Sequence, residues 1–275
     1  YKNKYLLEVN SRYDGSSRFK ESTRWGFFPS ASVAYRISQE KFFENLLPVI
    51  NDLKFRASYG VLGNQNIAGN INAKYYPYQT VYNTGFPYPL GSSLVDGVRQ
   101  NALADDLITW ETTASTNFGI DIALLKNKLN LTVDYYNRNT KDILDAAVLP
   151  IYTGTTAPTV NFGKLANKGL DLSVSYKNRV GDFAYGIQGI FQTNKNKVTE
   201  YGATSISARN IRQAGLPYDS YYLYEFEKIF QSAAEVSSSA VQSPAGQPGL
   251  FKFKDLNGDN KIDGNDRRVF DGIFP

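Results

Sequence analysis

Large apolar side chains recur at every second position in seven segments of this chain. The first segment places Tyr5, Leu7 and Val9 on one face and the polar residues Glu8 and Asn10 on the other. A period of two is the mark of a β-strand whose two faces meet different environments. The alternation predicts strands over residues 5–13, 30–38, 53–60, 117–124, 129–136, 170–177 and 183–192. The seventh is the least regular, because Ile190 lies on its polar face.

The connections between these strands alternate in length. Residues 126–128 and 178–182 form short links, whereas residues 62–111, 139–168 and 193–275 contain long ones. Short turns at one end of a meander and long loops at the other are typical of an outer-membrane barrel. A soluble sandwich would instead need a second sheet and Greek-key connections.

The link between the second and third strands, residues 39–52, lies at the turn end although it is longer. Ser38 precedes it, and Glu40 and Glu44 follow at positions that suit the first turns of a helix. Serine is a good N-cap and acidic residues are favourable near a helix N-terminus. We therefore predict a short helix here, capped near Ser38.

Strand length and aromatic placement favour a membrane barrel over a soluble β-domain, which the alternation alone also fits. A tilted strand crosses a bilayer in about 9–11 residues, compared with about 5–6 in globular sheets. Several predicted strands, including 5–13 and 168–178, reach the longer figure. Aromatic residues gather near both strand ends, as at two lipid–water interfaces. They are Tyr13, Trp25, Phe27, Phe28, Tyr135 and Tyr136 on the loop side, and Tyr35, Tyr176, Phe183 and Tyr185 on the turn side.

The predicted fold is therefore all-β, an antiparallel up-and-down transmembrane β-barrel segment with long extracellular loops. Composition removes several classes of function. The chain of 275 residues has neither Cys nor His, which excludes disulfides, Cys or His metal ligands and Ser-His-Asp catalysis. Its net charge of +4 comes without a long basic run, so we expect no nucleic-acid partner. Because the chain opens at Tyr1 and contains no Met, we expect a fragment or a processed product.

The sequence resembles the SusC/RagA family of TonB-dependent outer-membrane transporters of Bacteroidota. The resemblance spans nearly the whole chain, in family order. It rests on YLLEVNSRYDGSSRF (5–19), RWGFFPSASVAYRISQEKFF (24–43), LKFRASYGVLGNQNI (53–67), WETTASTNFGIDIALLKNKLNLTVDYYNRNTKDIL (110–144), NFGKLANKGLDLSVSY (161–176), NKNKV (194–198) and KDLNGDNKIDGNDR (254–267). Residues 68–104 and 199–250 are the less familiar parts, where we expect members of such a family to differ.

This resemblance implies a barrel of roughly 22 strands, of which residues 1–275 hold about seven or eight from the second half. The plug domain and the remaining strands are expected to lie outside this chain. Family members act in the bacterial outer membrane, so the bilayer, a SusD-like surface lipoprotein and the TonB complex, reached through the missing amino-terminal parts, are the implied partners. The implied function is import of nutrient oligomers, glycan fragments in preference to peptides, without chemistry on the solute and without a required cofactor.

An aromatic segment, KYYPYQTVYNTGFPYPL (74–90), is the strongest candidate for contact with a solute. Flat aromatic faces can stack on sugar rings or grip peptide side chains. The alternative is a loop that packs on itself over the barrel mouth or docks on the lipoprotein. The candidate residues are Tyr75, Tyr76, Tyr78, Tyr82, Phe86 and Tyr88.

Charged residues on the polar face of the predicted strands are candidates for lining the lumen or contacting the plug. A wide barrel is usually filled, which favours plug contact. They are Glu8, Arg12, Arg36, Arg56, Asp121, Asp134 and Asp171. No pair of carboxylates is marked by spacing as a glycosidase acid and nucleophile, so we do not expect an enzyme.

The segment DLNGDNKIDGND (255–266) has the ligand spacing of a twelve-residue calcium loop. Its candidate ligands are Asp255, Asn257, Asp259, Lys261 through its carbonyl, Asp263 and Asp266. It departs from the usual pattern at Asn260, where glycine is expected, and at Asp266, where glutamate is usual. The alternative is a metal-free turn. A secreted β-rich carbohydrate- or protein-binding module with a dockerin-like calcium loop is the second reading of the whole chain.

Overall fold

The computed structural model describes residues 1–67, 75–100 and 103–270. Within the predicted loop segment 68–104, residues 68–74 (including Lys74) and 101–102 therefore lie outside the described residues. The chain divides into two compact units, Tyr1–Gly202 and Ala203–Pro275. In the described residues, no helix is both long and apolar enough to cross a membrane.

The first unit is built on one seven-stranded antiparallel sheet. The strands of this unit, both inside and outside the sheet, are β1 (Tyr5–Gly15), β2 (Trp25–Arg36), β3 (Ile50–Asn64), β4 (Tyr82–Leu90), β5 (Ser93–Gln100), β6 (Glu111–Leu124), β7 (Leu129–Lys141), β8 (Leu144–Ala146), β9 (Thr159–Asn161), β10 (Lys164–Val180) and β11 (Phe183–Glu200). The sheet order is β1-β2-β3-β6-β7-β10-β11, while β4–β5 and β8–β9 form separate hairpins inside the long connections. All seven predicted strands are confirmed, and they follow one another as a meander.

Strand register gives the sheet two unlike faces, as the alternation predicted. We call them the apolar face and the polar face. One row of paired residues on the apolar face is Tyr5, Tyr35, Phe55, Ile120, Val133, Leu172 and Phe191. The adjacent row on the polar face is Leu6, Ala34, Arg56, Gly119, Asp134, Asp171 and Gln192. Because a shift of one residue would exchange the faces, the hydrophobic pattern specifies this register.

The last two strands of the sheet are longer than predicted. Strand β10 has 17 residues and β11 has 18, and β11 runs to Glu200 rather than ending near 192. The predicted turn at 178–182 also shortens, because Val180 pairs directly with Phe183. Apart from the buried Val198, the final third of β11 is polar on both faces, so alternation carried no signal there.

The predicted helix between β2 and β3 is wrong in type and in its cap. The segment forms two 3₁₀ helices, Ile37–Gln39 and Lys41–Leu46, and neither has a side-chain cap. Ser38 is buried, and its hydroxyl donates to the carboxylate of Asp52 on β3 instead of accepting from a helix amide. This contact fixes the turn to the sheet.

Glu40 closes the turn end of β1 and β2. It accepts hydrogen bonds from Lys4 Nζ at 2.9 Å, from the Tyr5 hydroxyl at 3.3 Å and from the Tyr35 hydroxyl at 3.2 Å. The two tyrosine rings stack with centroids 5.1 Å apart. The Lys4 ammonium is the main cause that holds the pKa of Glu40 below its usual value. One carboxylate thus joins two strands and the turn that follows them.

A small hydrophobic cluster lies at the loop end of the sheet. It consists of Phe19, Phe28, Ile67, Ile108 and Trp110, all buried. Aromatic contacts join Phe19 and Phe28 to Trp110, with ring centroids 5.3 and 5.2 Å apart. The cluster joins the β1–β2 connection and strand β2 to both ends of the long β3–β6 connection.

Two residues of the predicted aromatic belts do not face outward. Phe28 and Tyr136 are buried, with 9% and 8% of their surfaces exposed, and both lie on the polar face. Consecutive residues of a strand point to opposite faces, so Phe27 and Phe28 cannot both lie in one belt. Phe27 and Tyr135, on the apolar face, remain exposed.

The second unit contains short strands only, within the residues described. They are β12 (Ser205–Ile206), β13 (Asn210–Arg212), β14 (Ser220–Tyr224), β15 (Phe226–Ile229), β16 (Phe251–Phe253) and β17 (Arg267–Phe270), with one short helix, α1 (Ala233–Ser237). They form a four-stranded sheet, β12-β13-β14-β17, and a two-stranded sheet, β15-β16. The loop 255–266 lies between β16 and β17 and ends in a 3₁₀ turn, Gly264–Asp266.

Candidate functional site

Three of the predicted charged residues meet on the polar face of the sheet. Arg56 of β3 donates from Nε and Nη2 to the two carboxylate oxygens of Asp121 on β6, at 2.9 and 3.1 Å. Its Nη2 also lies 3.0 and 3.1 Å from the two oxygens of Asp134 on β7. Lys54 Nζ is 2.9 Å from Asp121. We call these four residues the charge network, since one guanidinium and one ammonium neutralise two carboxylates across three strands.

Gly119 makes this geometry possible. It pairs with both Arg56 and Asp134 in strand register, so it lies beneath the line between them. A Cβ there would stand 2.5 Å from Asp134 Oδ1 and 2.7 Å from Arg56 Cζ. Any side chain at this position would therefore displace the guanidinium.

The other predicted polar-face residues stay outside the charge network. Glu8 accepts from Asn10 Nδ2 at 2.7 Å. Arg12 pairs with Asp14 at 2.9 Å. Arg36 and Asp171 are also outside the charge network. The Arg36 guanidinium lies 3.4 Å from the Asp52 carboxylate, and Asp171 is only the strand-register neighbour of Asp134. The structure therefore divides the predicted set into one cluster and several local contacts.

The aromatic candidates are also divided. Tyr78 packs against the hydrophobic cluster at the loop end of the sheet, and Phe86 lies beneath the Arg99 guanidinium at 4.0 Å. Tyr75 and Tyr76 are 42% and 49% exposed. The sequence did not reveal that two of the six candidates are used in packing.

Tyr82 and Tyr88 stand on the β4–β5 hairpin and are 64% and 65% exposed. Tyr88 pairs with Val95 across the hairpin. Isolated two-stranded hairpins are marginally stable in water. Tyr76 is similarly exposed, whereas the Arg18 guanidinium lies over the Tyr75 ring at 5.2 Å. Tyr76, Tyr82 and Tyr88 therefore keep the most exposed surface for a ligand or a partner.

Sequence reasoning missed the role of Trp110 and Asn161 in holding the loops. Trp110 Nε1 donates to the Arg24 carbonyl at 2.9 Å. The Asn161 amide donates to the carbonyls of Thr109 and Asp142, at 2.9 and 2.8 Å, and accepts from the Thr109 amide. A tryptophan directly before a strand was the available signal, because a buried indole usually finds a hydrogen-bond acceptor.

The loop 255–266 adopts part of the geometry that a calcium loop needs. Asn260 has φ of 62°, the left-handed conformation for which glycine is usual at this position. Asp255 accepts from the amides of Gly258 and Asn260, at 2.6 and 2.8 Å. Asp259 accepts from the Lys261 amide at 2.9 Å. These contacts fold the loop tightly around its acidic side chains.

Other features of the loop oppose metal binding. Asp266 is fully buried and accepts from the amides of Leu256 and Asp263, at 2.9 and 2.8 Å. The Asp263 amide is the main cause that holds the pKa of Asp266 below its usual value. Lys261 Nζ lies 3.3 Å from Asp263, where it competes with a cation. Among the described residues, no three Asp or Glu side chains come together as a metal-binding group, so calcium binding stays a prediction.

Residues 1–250 match the protein family described as "TonB dependent receptor-like, beta-barrel". TonB-dependent receptor P3 of Formosa agariphila is 32% identical over an alignment that covers 100% of this chain and 28% of that protein. TonB-dependent receptor SusC of Bacteroides thetaiotaomicron is 30% identical, with 98% of this chain and 27% of SusC covered. This chain thus spans little more than a quarter of these relatives.

A solved structure described as the RagAB peptide transporter has the same fold. Its TM-score is 0.77 at 22% identity, covering 98% of this chain and 28% of the matched chain. The RagAB peptide importer in an "open-open" state gives a TM-score of 0.76 at 21% identity. At this level of identity the likeness concerns the fold alone.

Proposed function

This chain belongs to the family of TonB-dependent receptor β-barrels, and from that premise we propose that its seven-stranded sheet is part of the wall of an outer-membrane importer of nutrient oligomers. Proteins of this SusC/RagA type are outer-membrane proteins. The observation that carries the proposal is the register of the sheet, which keeps one apolar and one polar face across all seven strands. A wall between lipid and an aqueous or plugged lumen needs that division.

We place glycan fragments ahead of peptides as the imported oligomers, with a SusD-like lipoprotein as the partner that delivers them. Exposed rings of Tyr75, Tyr76, Tyr82 and Tyr88 support this choice, because flat aromatic faces suit sugar rings. Import itself needs no bond to be made or broken in the solute. A peptide solute is the second candidate, supported by the relatives in fold that are described as peptide transporters.

Ligand binding by the full-length protein with its lipoprotein tests this proposal. Oligosaccharides and peptides of matched length are titrated calorimetrically into the detergent-solubilised complex. We expect an oligosaccharide to bind. The double variant Tyr75→Ala with Tyr76→Ala should lower the affinity for this oligosaccharide by about tenfold for each stacking contact that is lost, since one contact contributes roughly 1.5 kcal/mol.

Tyr152→Ala serves as the matched control, because Tyr152 is 86% exposed in a different loop. It should leave the affinity unchanged. Binding of peptides alone would reject the glycan assignment while leaving import in place. Unchanged oligosaccharide affinity in the double variant would reject the role of these two rings.

The charge network has a structural role in this proposal. Its four residues lie on the polar face of the sheet, where their charges are paired with one another across β3, β6 and β7. Cross-strand ion pairs favour one strand register over its alternatives. We propose that the charge network fixes the strand register on the polar face of the sheet, where no apolar pattern can do so.

A further inference from the structure

The apolar face of β10 ends abruptly at its loop end. Leu170 is the last large apolar residue on this face, and Lys168 takes the next position. The distance from Leu170 to Val180 is about 33 Å along the strand and about 25 Å across the membrane at a tilt of about 40°, which equals the usual apolar band of a barrel. Lys168 therefore lies where the hydrocarbon gives way to lipid head groups.

Strand register places further lysines beside it on the same face. Lys168 is paired directly with Lys195 of β11, and Lys164 is paired directly with Lys141 of β7. Lys197 lies one step further along β11. We call these five residues the lysine cluster, and all five are exposed.

The polar face cannot hold these side chains. Gly169 follows Lys168, and a Cβ at Gly169 would touch the Tyr136 ring, which lies on the polar face. Because consecutive residues alternate, Lys168 points to the opposite side, the side of Leu170. Its partner Lys195 shares that direction.

Two directly opposed lysine pairs are an unfavourable arrangement for a sheet. Side chains opposite one another on antiparallel strands have Cβ atoms about 4.5–5.5 Å apart, and like charges there are destabilising. Only part of this charge is neutralised in the described residues: the Glu200 carboxylate lies 2.5 Å from the Lys164 ammonium. Within the described part of the chain, the other four lysines form no ion pair. The lysine cluster therefore keeps an excess of positive charge within the described part of the chain.

We propose that the lysine cluster binds the phosphate groups of phosphorylated glycolipid in the outer leaflet. The cluster continues the lipid-facing surface, so its occupant is anchored in the same leaflet. Long lysine side chains can keep their methylene groups on apolar surface while the ammonium reaches a head group. Lysine binds phosphate as a compact charge, and a phosphate between Lys168 and Lys195 would convert their repulsion into two attractions.

Thermal unfolding of the full-length protein in detergent, with added phosphorylated lipid A, tests this inference. We expect the lipid to raise the transition temperature, and we expect the effect to fall as salt increases. The double variant Lys168→Gln with Lys195→Gln should bind the lipid about 30-fold more weakly, from the contribution of about two lysines near an anionic surface. Without lipid, the same variant should melt no lower than the parent, because repulsion is removed.

Three comparisons decide the outcome. Lys126→Gln with Lys128→Gln, in the turn between β6 and β7, makes the same charge change at the opposite end of the sheet and should keep the full lipid effect. Dephosphorylated lipid A and inorganic phosphate should each give little stabilisation. An equal effect from either probe, or full retention of lipid binding in the Lys168 and Lys195 variant, would overturn the proposal. A lower melting temperature of that variant without lipid would also overturn it, since it would show a structural role.

Discussion

Removal of the Arg56 guanidinium measures how strongly the charge network holds β3, β6 and β7 together. In Arg56→Gln, Asp121 keeps Lys54 at 2.9 Å and the Thr132 hydroxyl at 3.3 Å, whereas Asp134 loses its cation. Bonds to charged groups contribute about 1.5–3 kcal/mol when buried and about 0–1 kcal/mol when exposed. The side chains of Arg56, Asp121 and Asp134 are 32%, 28% and 19% exposed, so the contributions lie between these limits.

We therefore expect Arg56→Gln to cost about 2 kcal/mol of unfolding free energy, of which about 1 kcal/mol is the coupling to Asp134. A double-mutant cycle with Asp134→Asn, by urea unfolding of the full-length protein in detergent or lipid, gives that coupling. Arg12→Gln is the matched control, because Arg12 lies on the same face but its side chain is 76% exposed. It should cost less than about 0.5 kcal/mol. A coupling near zero, or equal losses of stability for Arg56→Gln and Arg12→Gln, would show that the charge network does not hold these strands together.

Three further predictions follow from single residues or loops. Gly63→Ala should destabilise by about 1–3 kcal/mol through overpacking, because its Cβ would lie 2.2 Å from a buried phenylalanine ring; Gly189→Ala, with nothing within 4 Å, is the control, and equal melting temperatures would contradict this. Glu40→Gln should destabilise the protein at neutral pH, where the Glu40 carboxylate is charged and bound by Lys4. Because its pKa is lowered in the folded state, this loss of stability should disappear as the pH falls through that lowered pKa; a pH-independent loss would contradict it. Calcium should bind to loop 255–266, but with lower affinity than it binds to a loop that has glutamate at position 12. Calorimetric titration of calcium into the parent and into Asp255→Asn tests the site, and equal calcium binding by the two proteins would show that the loop is not a calcium site.

The strands were predictable because two solvents act on the two faces of the sheet. Wherever one face meets lipid, alternation such as Leu170, Leu172 and Val174 is strong, and each of these segments is a strand. Beyond the lipid, as in the final third of β11, both faces are polar apart from Val198, and the pattern vanishes although the strand continues. The helix expected at Ser38 failed because the serine hydroxyl bonds to Asp52, a contact made by tertiary structure.

The site was less predictable, because its contacts join residues far apart in sequence. Arg56 is 65 residues from Asp121 and 78 from Asp134, and their meeting depends on pairing across three strands. The polar character of each position was visible, but not which charges would share a row. Phe28 illustrates the opposite case, since its aromatic character suggested a belt while its parity placed it on the polar face.

Label accessibility along β10 in the full-length protein, reconstituted in lipid, shows whether the apolar face of the sheet contacts the bilayer. Single cysteines introduced at consecutive positions from Leu170 to Tyr176, in a cysteine-free background, carry a spin label. We expect a lipid-soluble relaxation agent to reach the labels at positions 170, 172, 174 and 176, while the labels at the intervening positions are shielded from it. Equal access at consecutive positions, or lipid contact at Asp171 and Ser173 in place of their neighbours, would contradict the account.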